Sequence, residues 1–300
     1  MTPKVSVCMI SYRHEAFIAQ AIESILAQQC DFDIELVIGD DCSPDRSSAI
    51  CDEYARRDPR VRLLPRDRNL GVMANFSRTL QACRGQYVAV CEGDDYWIDP
   101  LKLAKQVAFL DAHPDHAAAT HQARVVREGE LPRAFRENVP STLGARDLIG
   151  GRLFHTASVL FRRPIVDTFA AAPTVLSCDR LLNFCMAFAG KVHYSDEPMC
   201  AYRLHGAGMS STVTVAQLKL DLDSIPYLRR LNPNFPAQLY RSYVYTTIGL
   251  CMKATALQRV GYLFLALVFS FADFPRNLSS IASRLRRLLA ARASGSTVSP

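Results

Sequence analysis

The chain predicts an α/β protein whose mainly parallel central sheet is flanked by helices and followed by a helical C-terminal extension. Three observations carry that expectation. Four short, β-branched apolar runs in the first hundred residues are each followed by apolar residues at helical spacing. The alternation weakens after Ala117, and beyond Gly208 only helical periodicity remains. With 49% hydrophobic and 21% charged residues the chain has an ordinary folded composition, and 14 glycines and 16 prolines exclude collagen-like or low-complexity architecture.

Residues 4–11 (KVSVCMIS) read as a buried strand, and Ile18, Ile22, Ile25 and Leu26 then mark a helix. Strands at 34–39, 61–64 and 87–91 alternate with helices at 47–57, 72–82 and 102–113; on the last, Leu103, Val107 and Leu110 share a face. Repeated units of this length imply parallel strands, because the crossover helices bring the chain back in the same direction. A strand at 117–126 leads into a loop-rich stretch with Pro132, Pro140, Gly144, Gly150 and Gly151. Residues 155–161 read as another strand, 179–189 as a helix, and 192–203 as two short strands about a turn. There is no internal repeat.

The net charge of +6 is unevenly spread: residues 274–300 hold five arginines and no acid, which leaves the body close to neutral and argues against a nucleic-acid-binding protein. The ten cysteines form no C-x-x-C pair and several stand inside apolar runs, so they read as small buried hydrophobes of a reducing compartment. Residues 5–10 are too short an apolar run for a signal peptide. The longest uncharged apolar run, residues 260–272, falls short of the roughly 20 residues a membrane span needs. The expectation is a cytoplasmic protein.

Ligands of open parallel sheets bind at the carboxyl ends of the strands. Here those ends carry Ser11-Tyr12, Asp40-Asp41 and Glu92-Gly93-Asp94-Asp95. Turn chemistry accounts for any one of them. Two acidic clusters on one sheet point further, because facing carboxylates repel unless a cation lies between them, and Mg²⁺ and Mn²⁺ prefer oxygen ligands. No glycine precedes Gly39, so the first turn is no G-x-G-x-x-G loop, and G-x-x-x-x-G-K-[ST] occurs nowhere. A phosphorylated ligand would therefore be held through a bridging metal.

Residues 5–28 (VSVCMISYRHEAFIAQAIESILAQ), 35–44 (ELVIGDDCSP), 69–74 (NLGVMA) and 85–100 (GQYVAVCEGDDYWIDP) resemble the nucleotide-sugar half of family-2 glycosyltransferases with the GT-A fold. The resemblance continues through 155–163 (HTASVLFRR), 178–190 and 196–205 (DEPMCAYRLH). It implies a GT-A-like catalytic domain over 1–210, with 1–115 binding the nucleotide-sugar and 116–210 on the acceptor side, and a helical extension over 211–300.

By that resemblance Ser11 and Tyr12 lie at the nucleotide, with the Tyr12 ring beside the base, Glu15 orients the nucleotide, and Asp40 reads the base or ribose. Asp41 is a structural partner in the same turn. Glu92-Gly93-Asp94 aligns with the family's D-x-D, with Glu92 where Asp is common and Asp94 on a divalent metal, Mg²⁺ or Mn²⁺. Asp95 supports the site. Arg203 and His205, in Tyr202-Arg203-Leu204-His205, return to the diphosphate, His205 completing the metal shell. Asp179 corresponds to the late acidic motif and is the candidate general base; an N-cap is its alternative role. The acid that often precedes it is Cys178 here. His155 and Ser158 are expected on a strand lining the acceptor cleft, with internal satisfaction as the alternative.

The implied reaction is an inverting transfer of a sugar from a nucleotide-diphosphate donor to a saccharide or lipid-linked acceptor. Processive relatives carry Q-x-x-R-W, but the only tryptophan is Trp97, so single addition is expected. A sugar-phosphate nucleotidyltransferase is the competing enzyme class, though it would carry a glycine-rich loop after the first strand. A non-catalytic scaffold is the third reading, against which Asp94, Asp179 and His205 stand. In the tail, Leu278, Ile281, Leu285, Leu288 and Leu289 form a stripe with Arg284 and Arg287 off it. An anionic membrane surface and a packed bundle, on this chain or on a second subunit of a homo-oligomer, are the two readings of that pattern.

Overall fold

The computed structural model describes residues 2–205, 213–251 and 253–271. The first of two compact units comprises Met1–Gly144, Arg152–Ala172 and Cys178–His205. It runs β1 (Val5–Ser11), α1 (Ile18–Leu26), β2 (Ile34–Asp40), α2 (Ser47–Arg57), β3 (Val61–Leu63), α3 (Val72–Ala82), β4 (Tyr87–Val90), β5 (Tyr96–Trp97), α4 (Lys102–Ala112) and β6 (His116–Val126). Short β7 (Arg133–Ala134) and β8 (Thr142–Leu143) follow, and α5 (Ala145–Ile149) belongs to the second unit. The first unit resumes with β9 (Leu160–Arg162), α6 (Pro164–Ala170), α7 (Cys178–Ala189) and β10 (Lys191–Arg203). The second unit holds Pro173–Ser177 and, after residue 213, α8 (Val215–Asp223), α9 (Ile225–Leu231), α10 (Ala237–Leu250) and α11 (Ala256–Phe271).

The sheet order is β3-β2-β1-β4-β9-β6-β10-β5. β3, β2, β1 and β4 are parallel, as the alternating pattern predicts. Beyond β4 the sheet is mixed: β9 is antiparallel to both neighbours, β10 is parallel to β6, and β5 closes the edge antiparallel. The core forms where α1 and α4 lay Ile18, Ile22, Ile25, Leu103, Val107 and Leu110 against Val5, Val7, Met9, Leu36, Ile38 and Ala89. All ten cysteines are free, and Cys8, Cys51, Cys83, Cys91, Cys185 and Cys200 are buried.

Two expectations need correction. Residues 155–161 are not one strand, but a 3-10 turn (Thr156–Ser158) followed by β9. The His155 ring accepts from the Ala157 N–H (3.3 Å), and the Ser158 hydroxyl donates to the His155 carbonyl (2.6 Å). Trp97 Nε1 and Gln106 Nε2 meanwhile donate to the carbonyls of Ala157 (3.0 Å) and Ser158 (2.8 Å), so the turn leaves those acceptors satisfied without a ladder. Residues 192–203 are one strand, β10, whose register against β6 shifts between Ser195 and Cys200 around Pro198, a residue with no N–H to give.

In the second unit the buried Asp221 accepts from the N–H groups of Leu176 and Ser177 (both 3.0 Å) and from the Ser177 hydroxyl (2.6 Å). No helix among the described residues is long and apolar enough to cross a membrane. The stripe from Leu278 to Leu289 lies outside the described residues.

Candidate active site

Three loops meet where β1, β2 and β4 end. The Ser11 carbonyl accepts from the Asp41 N–H (2.9 Å), and the Ile10 carbonyl from the Gly93 N–H (3.0 Å), so the acidic segment hangs from the end of β1. Gly93 is there for space: a Cβ would lie 2.6 Å from Ile18 Cδ1 and 2.9 Å from His14 Nδ1. Glycine lets the loop before α1 and the acidic segment come into contact.

Asp94 sits between two imidazoles. Its Oδ2 is 3.1 Å from His205 Nε2 and 3.6 Å from His14 Nε2, and all three side chains remain partly exposed. Burial pushes the Asp94 carboxyl up, but the His205 hydrogen bond and the His14 charge outweigh it and hold it below the usual range. Glu92 behaves oppositely. Burial, then the charge of Asp94, push it up to about 8, and its buried Oε2 has no partner. Asp95 is fully enclosed and pushed well above the carboxylate range by burial and by Asp94 and Glu92. Its Oδ1 accepts from the Arg203 N–H (2.9 Å), and its Oδ2 lies 3.4 Å from His155 Nδ1. Burial, then Arg152, lower His155 to about 3, so a protonated Asp95 beside a neutral His155 satisfies both shifts. The His155 ring also stacks on Tyr202 at 4.1 Å.

Ligand atoms of Glu92, Asp95 and His155 lie within 4.8 Å of one another, beside the more open set of Asp94, His205 and His14. The residues fit a divalent cation. Carboxylate oxygens and imidazoles form its donor set, and positive charge here would supply the partner that Glu92 Oε2 lacks and oppose that residue's upward shift.

Other expected site residues serve the loops themselves. Asp40 is buried and accepts from the Ser43 N–H (3.1 Å), the Ser43 hydroxyl and the Ser48 hydroxyl (both 2.5 Å). Asp41 accepts from the N–H groups of Leu70 (2.7 Å) and Gly71 (2.9 Å), which hangs the loop before α3 from the end of β2. Glu15 accepts from the Arg46 N–H at the start of α2 (2.9 Å). Arg203 donates to the Asp94 carbonyl (2.6 Å) and to Gln20, with its guanidinium 4.3 Å from the Tyr96 ring and 5.2 Å from the Phe17 ring. It clamps the acidic loop. Ser158 is enclosed, and its hydroxyl bonds within its own turn. Tyr12 is different: its ring is 42% exposed, accompanied by the Arg13 guanidinium at 5.3 Å.

Asp179 stands in the first turn of α7, 3.7 Å from Arg152 Nε. Burial raises its carboxyl, but Arg152 and Arg180 outweigh that and hold it below the usual range. Its negative charge adds to the rise of Glu92, which places it in the same electrostatic neighbourhood. Sequence reasoning passed over two members of this group, His14 and Arg152. His14 stands two residues beyond Tyr12 in the same strand-end loop, a position that could have marked it. Arg152 follows Gly150-Gly151 in a stretch with no periodicity, and nothing in the sequence points from it to Asp179.

Among the described residues, five buried side-chain atoms lack a hydrogen-bond partner: Ser11 Oγ, His14 Nδ1, Glu92 Oε2, His121 Nε2 and Tyr194 OH. The first three lie at the last residue of β1 and in the loops after β1 and β4. A depression of about 620 Å³ lies at the opposite ends of these strands, lined by Thr2, Lys4, Asp33, Arg84, Gly85 and Arg163, and it has no such orphaned atoms.

Residues 6–168 match the family described as Glycosyl transferase family 2. An uncharacterized protein of Mycobacterium tuberculosis is 38% identical over 213 residues, covering 68% of this chain and 60% of that protein. The chain thus spans about 60% of the length of the first curated relatives it matches. The succinoglycan biosynthesis protein ExoO of Rhizobium meliloti is 34% identical over 160 residues, 53% of this chain and 44% of ExoO. In fold the chain resembles S. aureus TarS, solved in complex with UDP-GlcNAc, with a TM-score of 0.69 at 17% identity over 87% of this chain and 79% of that one. It also resembles the mannosyltransferase PcManGT of Pyrobaculum calidifontis, solved in complex with GDP-Man and Mn²⁺, with a TM-score of 0.57 at 17% identity over 97% and 81% of the two chains. The fold is that of GT-A glycosyltransferases, and the chain belongs to glycosyl transferase family 2.

Proposed function

We propose that the chain transfers a sugar, with inversion, from a nucleotide-diphosphate donor to a hydroxyl acceptor in cell-surface polysaccharide or lipopolysaccharide biosynthesis. The observation that carries this reading is the gathering of three orphaned buried polar atoms at the carboxyl ends of β1 and β4, one of them on His14 beside Asp94. Such atoms are rare and costly, and a polar ligand would satisfy them. The sugar nucleotides bound by TarS and PcManGT support the donor class, and the likeness to the succinoglycan biosynthesis protein ExoO supports the polysaccharide setting.

Asp94, His205 and His14, with Glu92 beside them, would hold Mg²⁺ or Mn²⁺, which supplies positive charge to the donor diphosphate when bound. The protein's own groups do the rest. The exposed face of Tyr12 offers a stacking platform for the base, worth about 1–3 kcal/mol. Arg203 fixes the acidic loop through the Asp94 carbonyl and the Asp95 carboxyl. Asp179, kept ionised by Arg152 and Arg180, takes the acceptor hydroxyl proton onto its carboxylate. The hydroxyl oxygen forms its bond to the anomeric carbon as the carbon–oxygen bond to the diphosphate breaks with its electron pair, and no covalent sugar–enzyme intermediate forms.

The test is a thermal-shift and hydrolysis screen of UDP-, GDP- and dTDP-sugars with Mg²⁺, Mn²⁺ or chelator. Stabilisation and slow donor hydrolysis that need the metal are expected. Stabilisation by no nucleotide sugar would overturn the donor assignment, and undiminished hydrolysis in chelator would overturn the metal.

A further inference from the structure

α11 carries two apolar faces, and α10 covers one of them. On the covered face Ala266 and Ser270 are buried, the Ser242 hydroxyl donates to the Ala266 carbonyl (2.8 Å), and Tyr245 stacks on Tyr262 and Phe269. On the other face Leu257, Val260, Phe264 and Leu267 are 84%, 69%, 63% and 48% exposed, with Leu263 and Val268 beside them. Steps of three and four residues align these positions along one side of the helix. Single exposed leucines are ordinary on a protein surface, but a stripe running the length of a helix is not.

Charge points to the occupant. Arg259 is the only charged residue of α11, and after Asp223 the chain holds ten lysines and arginines against a single acid, Asp273. Five of those arginines follow α11, between Arg276 and Arg292. The 16 described residues of α11 extend about 24 Å, short of a bilayer core of about 30 Å. A second copy of the chain would bring the same positive charge against itself.

We propose that the exposed face of α11 docks on the surface of an anionic lipid bilayer. The apolar stripe enters the boundary between headgroups and acyl chains, while the cations of this basic stretch of the sequence are drawn to anionic headgroups. This inference does not rest on the sugar-transfer reading.

The test is co-sedimentation of the full chain with vesicles of phosphatidylcholine alone or mixed with phosphatidylglycerol, at low and high salt. The parent should bind the mixed vesicles at low salt, lose about tenfold or more in affinity at high salt, and bind phosphatidylcholine alone far more weakly. F264E/L267E charges the stripe at exposed positions and should lose about tenfold or more while keeping the parental melting temperature. L257Q/V260Q, placed one to two turns earlier, should weaken binding in the same direction, which guards against a folding defect in the first variant. A parent that ignores anionic vesicles at low salt overturns the proposal. So do stripe variants that fold and bind like the parent, and so does a parental dimer that F264E/L267E splits while vesicle binding stays unchanged.

Discussion

Glu35 and Glu92 belong to the same sheet, one at the amino end of β2 and the other just beyond the carboxyl end of β4, and their surroundings treat them in opposite ways. Glu35 accepts from the Ser6 hydroxyl (2.6 Å), the Arg84 N–H (3.0 Å) and the Arg84 guanidinium (2.8 Å), with Arg62 at 3.4 Å. Burial pushes its carboxyl up, but Arg84 and Ser6 outweigh burial and hold it below the usual range. Glu92 is pushed up to about 8 and keeps an oxygen without a partner. The amino end of the sheet is finished by the protein itself. The carboxyl end keeps polar atoms without partners, the difference expected between groups that stabilise a fold and groups that meet a ligand.

Substitutions can break this contrast. The largest effect is expected for Asp179→Asn, which keeps shape but cannot take a proton: kcat should fall about 10²–10⁴-fold with donor affinity unchanged. Single-turnover rates beside nucleotide-sugar titration check it, and lost donor affinity would make Asp179 a binding residue. Asp94→Ala should lower transfer about 10²–10³-fold and abolish the metal's effect on the thermal shift. Its melting temperature should change little, because the lost His205 and His14 contacts are offset by thinning the crowded set of Glu92, Asp94 and Asp95; a clear drop would mean that the carboxyl end also carries stability.

Glu35→Gln should do the reverse. It should cost about 1–2 kcal/mol, a modest figure because the Arg84 side chain is largely exposed. That corresponds to roughly 2–8 °C in melting temperature, with turnover per folded molecule unchanged. Because the folded Glu35 carboxyl is depressed, its contribution is complete above the ordinary carboxylate range and lost as pH falls through the folded value. The gap between parent and variant should therefore close in acid, and chemical denaturation at two pH values would reveal it.

The smallest effect is expected for Arg152→Met. Removing the cation that helps hold Asp179 down should move the acidic limb of the kcat profile to higher pH, with a loss of less than about tenfold at neutral pH. An unmoved limb would separate Arg152 from the titration of Asp179.

Most of the first hundred residues was legible because local periodicity sets local structure: α2 and α3 span the residues their apolar spacing predicts. Direction was harder to read. β9 runs antiparallel between β4 and β6, and a strand of three residues carries no mark of its orientation. The turn at His155 escaped because side chains 50 to 60 positions away, Gln106 and Trp97, take the carbonyls that a ladder would have used. In the candidate site the acidic loop was visible as composition, but its pairings were not. His14 with Asp94, Arg152 with Asp179 and His155 with Asp95 each join distant segments, and neither period nor spacing encodes such partners.

The clamp on the acidic loop also sets an order of events during synthesis. Arg203 reaches Asp95 and Asp94 across 108 and 109 positions, and His205 reaches Asp94 across 111. A ribosome makes the acids first and Arg203 and His205 about a hundred residues later, so a nascent chain ending before β10 holds Glu92, Asp94 and Asp95 with neither partner. The loops after β1 and β4 can consolidate only once the last strand of the sheet has docked beside β6. Donor binding should therefore emerge late and all at once in a series of stalled chains, long after the β1–β2 pair has formed.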